Sequence, residues 1–103
     1  MQNLKIFGRK KMDSIIQREK YCYFCLTKNN LHKHHIYMGA NRKVSEKYGF
    51  VCYLCGYHHN LGGQNCVHEN REMDLLLKKQ CQKEFEENHS REEFVKLIGR
   101  NYL

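Results

Sequence analysis

The sequence predicts a small α+β domain. Three features point to it. F-V-C-Y-L-C at 50–55 is β-branched and aromatic, L-H-K-H-H-I at 31–36 reads as extended, and the final third repeats apolar residues every three to four positions. At 103 residues the chain is one domain, and chains of this size bury only about two-thirds of their unfolded surface. Residues 56–70 are mostly Gly, Asn, Gln and His, so the core is expected to be thin there. Something other than apolar packing is expected to hold that part.

Taken in order, residues 1–12 read as a basic arm. M-D-S-I-I-Q-R-E-K-Y-C, starting at Met12, predicts a short helix with Asp13 or Ser14 as its N-cap. Y-C-Y-F-C-L-T-K-N-N-L-H-K-H-H-I then predicts a knuckle, a turn at K-N-N and an extended segment. The 50–55 strand is bounded by Gly49 and Gly56. H-H-N-L-G-G-Q-N, with its Gly-Gly pair, predicts a helical turn broken by a loop. Beyond residue 70, Met73, Leu76, Leu77, Cys81 and Phe85 form one apolar helical stripe. Ser90 and Glu93 have capping-box spacing and open a second helix whose buried face is Phe94, Leu97 and Ile98. These helices, 71–103, read as a supporting cap without chemistry of their own.

The net charge is +7, and it is uneven. Residues 1–47 hold eleven Lys/Arg against three Asp/Glu, while residues 48–103 hold seven against eight. A basic half beside a histidine cluster suits an anionic partner, most simply nucleic acid. The N-terminus shows no signal-peptide pattern and no apolar run approaches a membrane span, so the expected location is the cytoplasm, away from membranes. Thiols stay reduced there, and six cysteines at short spacing to histidines read as metal ligands rather than disulfides.

Cys22-x2-Cys25 supplies half of a tetrahedral zinc site, since two thiolates at this spacing grip one metal across a tight turn. The other half is either Cys52-x2-Cys55 or Cys55-x2-His58. Strand alternation turns Cys52 away from Cys55, which favours Cys22, Cys25, Cys55 and His58 as a closed structural zinc site. That leaves His32, His34, His35, His59 and His68 unspent. On a strand, His34 and His35 alternate: one imidazole can hold a second metal while its neighbour faces a water or a phosphate. His59 can reach the same second metal. A site with so few protein ligands stays open, as catalytic metal sites do.

C-Y-F-C, then H-K-H-H-I, then Y-L-C-G-Y-H-H, in that order over residues 21–70, resembles the HNH nucleases with their ββα-metal core. It is most similar to the zinc-stapled phage subgroup that includes the Ref-type RecA-dependent nucleases. The resemblance implies metal-dependent hydrolysis of phosphodiester bonds in DNA. It implies His34 as first ligand of a catalytic metal, His35 as general base and His59 as second ligand, with Mg²⁺ or another divalent cation. Some members add a ligand one helical turn later, where this chain has Gly63; His68 is the next candidate. Many members carry an Asn or Asp just before the second strand, where this chain has Tyr48 and Gly49; Asn41 is the candidate substitute. Lys5, Arg9, Lys10, Lys11, Lys33, Arg42 and Lys43 are the charges expected at phosphates. A recombinase or other protein activator is a further partner that the resemblance implies. The rival expectation is a zinc-ribbon adaptor without catalysis, which needs the four zinc ligands and the basic face but not His34, His35 or His59.

Overall fold

The computed structural model describes residues 12–103. The basic arm expected over 1–12 therefore lies, apart from Met12, outside the described residues, and with it Lys5, Arg9, Lys10 and Lys11. The described chain is α+β, with a two-stranded sheet and several helices.

The strands β1 (Leu31–His35) and β2 (Val51–Cys55) are antiparallel, with Leu31 opposite Cys55, His34 opposite Cys52 and His35 opposite Val51. This register lays the histidine run alongside the apolar strand. The connection between them contains a short 3₁₀ turn, Gly39–Asn41, and the helix α1, Arg42–Tyr48. The sequence reading places no helix here. The helix continues because R-K-V-S-E-K-Y holds no breaker. It stops at Gly49, whose φ of 79° is left-handed and where an added Cβ would meet the Asp13 carbonyl oxygen at 3.1 Å. Buried Ser45 fastens α1 to the strand ends: its Oγ donates to the Tyr37 carbonyl at 2.7 Å and accepts the Tyr37 N–H at 3.2 Å.

The helix expected from Met12 does not form; this segment is a series of bends. Ser14 does behave locally like a cap, accepting the N–H groups of Ile16 and Gln17 at 3.1 Å. However, its Oγ donates to the Val51 carbonyl at 2.6 Å, and the Ile15 N–H donates to the Gly49 carbonyl at 2.9 Å. Gln17 Oε1 accepts the Tyr53 N–H at 2.7 Å, and the Tyr23 N–H donates to the Tyr53 carbonyl at 2.9 Å. Backbone groups of β2 not used by β1 are thus satisfied by this run, which gives up its own helical hydrogen bonds to do so.

After β2 come a single π-helical turn, Tyr57–Leu61, and a 3₁₀ turn, Gly63–Asn65, which match the broken helical turn expected there. The helices α2 (Arg71–Phe85) and α3 (Arg91–Ile98) follow. Asn70 caps α2 by accepting the Met73 N–H, and the Ser90–Glu93 capping box forms with both its hydrogen bonds. Leu77, Cys81, Phe85, Phe94 and Ile98 are buried, but Leu76 is 47% exposed. The expected stripe is one residue too wide. Tyr37, Phe50, Phe85 and Phe94 form an aromatic cluster with centroids 5.5–6.1 Å apart, and this cluster holds the helices on the sheet. The middle expected to be thin, 56–70, is so only in part: residues 60–65 contribute nothing to the core, but Val67 joins it and Cys66 is buried. Among the described residues, no helix is long and apolar enough to cross a membrane.

Candidate functional site

Cys22, Cys25, Cys55 and His58 converge, with one ligand atom from each lying within 4.8 Å of the others. The knuckle closes because the Leu26 N–H donates to the Cys22 carbonyl and Leu26 takes a left-handed φ of 67°. Cys55 ends β2, and the π-helical turn carries His58 back over it. Cys25 Sγ stands 3.8 Å from Cys55 Sγ, and His58 Nδ1 stands 3.3 Å from Cys55 Sγ and 3.7 Å from Cys22 Sγ. Tetrahedral neighbours around a zinc with ordinary Zn–S and Zn–N bonds stand roughly 3.5–3.8 Å apart. The cluster can therefore hold a metal ion such as zinc. Burial opposes ionisation of Cys22, but backbone N–H groups of Cys55, Cys25 and Phe24 outweigh it and hold the thiol below its ordinary range. Cys52 is not part of the cluster. It is fully buried in the apolar core, where desolvation pushes its thiol well up. All six thiols are free of disulfides.

A second group lies beside the first. His34, His59 and His68 each bring a ring nitrogen within 4.8 Å of the other two. His34 comes from β1 and is 2% exposed. His59 is the residue after His58, so one π-helical turn serves both clusters. His68 returns because the Gly-rich turn reverses the chain: the Val67 N–H donates to the His58 carbonyl at 2.8 Å and the His68 N–H to the His59 carbonyl at 3.4 Å. Gly62 permits this reversal, since a Cβ there would sit 2.3 Å from the Tyr57 carbonyl oxygen. His59 Nε2 and His68 Nε2 are 3.1 Å apart, the spacing of two imidazoles that share one metal at about 2.1 Å.

His34 Nε2 supplies an independent test of fit. Among the described residues it is the buried side-chain polar atom without a hydrogen-bond partner. Such an orphan is rare in a folded protein and calls for a ligand. Burial, helped by the neighbouring His59 and His68, pushes His34 down to about 3; burial with His68 and His32 pushes His59 down to about 4. Both rings are neutral at pH 7, which leaves lone pairs for a metal. Three imidazoles without a carboxylate suit ions such as zinc, nickel or iron better than Mg²⁺.

His35 takes the other direction from β1. Its Nε2 lies 2.7 Å from Glu46 Oε1 on α1. Lys33, expected at phosphates, is engaged instead: its ammonium is 2.8 Å from Asp13 and 2.9 Å from Glu46. Hydrogen bonds to these two carboxylates hold it well above the ordinary lysine range. Lys33, His34, His35, Arg42, His59 and His68 all line one open cleft of about 310 Å³. Arg42 and Lys43 are exposed beside it, without a carboxylate partner among the described residues.

Asn41 does not brace the histidines; its Nδ2 donates to the Ile98 carbonyl at 2.9 Å and ties α1 to α3. Glu46 is the side chain that meets His35. The sequence reading missed this contact, as it missed the pairing of Asp13, named there only as a cap, with Lys33 and the contact of His32 Nδ1 with His59 Nδ1 at 2.9 Å. An uninterrupted helical run ending at Gly49 was the one available signal for Glu46. No protein-family model, no curated protein and no solved structure matches this chain.

Proposed function

We propose that the protein is an HNH-like, metal-dependent endonuclease that hydrolyses phosphodiester bonds in DNA. One observation carries the reading. His34, whose buried Nε2 has no hydrogen-bond partner, stands within metal-sharing distance of two further imidazoles, and the adjacent His35 lines the same cleft. The order supports it too: a His-rich strand, a connection that contains α1, an apolar strand and a helical turn bearing His59.

In this reading Cys22, Cys25, Cys55 and His58 hold a structural zinc. His34, His59 and His68 hold the catalytic metal, which supplies Lewis-acid stabilisation of the phosphate oxygens. His35 accepts the proton of the attacking water. Arg42 and Lys43 meet the phosphates flanking the cut. The closed cluster and His59 share the π-helical turn, so a zinc held by His58 would help to fix His59 one residue on.

The test is a plasmid-nicking assay with Zn²⁺, Ni²⁺, Mn²⁺ and Mg²⁺, run beside His35→Ala. Metal-dependent nicking that His35→Ala abolishes supports the endonuclease. No nicking by the wild type with any metal, on duplex or single strand, hands the chain to the adaptor reading.

A further inference from the structure

His35 lines the cleft, and Glu46 on α1, half exposed, meets it. Yet it is held from two sides. Oε2 accepts from Lys33 Nζ at 2.9 Å, and Oε1 meets His35 Nε2 at 2.7 Å. Lys33 is itself fixed by Asp13 at 2.8 Å, and the Tyr53 hydroxyl donates to that carboxylate at 3.1 and 3.2 Å. The chain Tyr53–Asp13–Lys33–Glu46–His35 links four separate segments: β2, the N-terminal run, β1 and α1.

We infer that Glu46 is a positioning residue for His35, fixing the imidazole with its proton on Nε2 so that Nδ1 is the nitrogen that takes the proton from water. The inference rests on the endonuclease reading and adds the atom and the orienting group. A carboxylate accepts only, so the ring nitrogen facing it must carry the hydrogen. That leaves the Nδ1 lone pair free. In the step, a water O–H bond breaks and its proton goes to Nδ1. The oxygen's electron pair forms the new P–O bond, and the 3′ oxygen leaves with the pair of the old one. The imidazolium that forms lies against the Glu46 carboxylate, which stays ionised, and the Nε2 hydrogen never moves. Lys33 keeps Glu46 turned toward the ring, which is why it is bound to carboxylates rather than free for DNA.

Glu46→Gln tests this with almost no change of shape. Glutamine has a single acceptor oxygen, and Lys33 needs it. The amide nitrogen then faces His35 Nε2 and donates to it, which drives the ring hydrogen to Nδ1 and removes the base. Under single-turnover conditions the nicking rate should fall roughly tenfold or more, up to the 10²–10⁴-fold that a positioned base supplies. DNA affinity and zinc content should not change. Glu46→Asp should keep more of the rate than Glu46→Gln. The ¹⁵N shifts of the His35 ring should report Nε2–H in the wild type and Nδ1–H in Glu46→Gln. An active wild type with Glu46→Gln equally fast, or a ring that keeps Nε2–H in the variant, overturns the inference alone. A wild type that nicks nothing defeats the endonuclease reading and takes this inference with it.

Discussion

The two metal-competent clusters are neighbours built to opposite plans. They share one turn: His58 belongs to the first and His59 to the second. The first gathers three thiols and one imidazole at tetrahedral spacing, with no position left for another ligand. The second gathers three imidazoles at the wall of an open cleft. With a metal bound, the first would stand in for packing that the Gly- and Asn-rich middle lacks. The second does the reverse: it buries a polar atom that the fold leaves unpaired. A site that spends stability rather than supplying it is where function is expected to sit.

The contrast can be broken most severely at the first cluster. Cys22→Ser or Cys55→Ser should lose the zinc and the fold together, because a structural zinc contributes on the order of 10 kcal/mol in small modules. Circular dichroism with metal analysis reads both losses. Cys52→Ser should keep its zinc, since that thiol lies in the core and away from the cluster.

If the protein nicks DNA as proposed, His35→Ala, beside the second cluster, should be the largest effect that leaves the fold intact. Nicking should drop roughly 10²–10⁴-fold, and no excess of metal should restore it. Zinc content and the unfolding transition should match the wild type.

His34→Leu should change stability with the opposite sign to the cysteine variants. With only the structural zinc present, removing an orphan buried nitrogen should stabilise the fold by about 1 kcal/mol. Added Ni²⁺ or Zn²⁺ should then raise the Tm of the wild type and leave that of His34→Leu unmoved. Equal Tm responses in the two proteins would place the second metal elsewhere.

The smallest expected change is electrostatic. Replacing Arg42 and Lys43 by alanine should make the salt dependence of duplex binding shallower by roughly 0.9 per lost phosphate contact. A slope that does not move means that these side chains face solvent only.

What was legible in the sequence was what depends on short spacing. Cys22-x2-Cys25 and Cys55-x2-His58 are each closed by one turn of chain, and the alternation argument against Cys52 needs only the strand. The Ser90–Glu93 box is local in the same sense and forms as spaced. Ser14 shows where this stops. Its hydroxyl makes the local contacts of a cap, yet its partner at Val51, 37 residues on, decides the conformation. Glu46 and His35 are 11 residues apart and meet only because α1 folds back on β1. Leu76 has the right period but lies on a helix that meets the core along one narrow side. In each case the deciding contact was a tertiary one, which no spacing rule contains.

The hydrogen bonds from Ser14, Gln17 and Tyr23 to β2 have a consequence for self-association. A two-stranded sheet offers its outer strands as templates, and an open template recruits strands from other copies into aggregates. On the β2 side that template is taken: the Val51 carbonyl and both backbone groups of Tyr53 are bonded within the same chain. The bends over residues 13–23 therefore act as a guard rail, irregular enough not to present a new template of their own. Sheet extension through β2 requires this run to peel away first, so concentration-dependent aggregation by that route should begin only where its hold on β2 is lost.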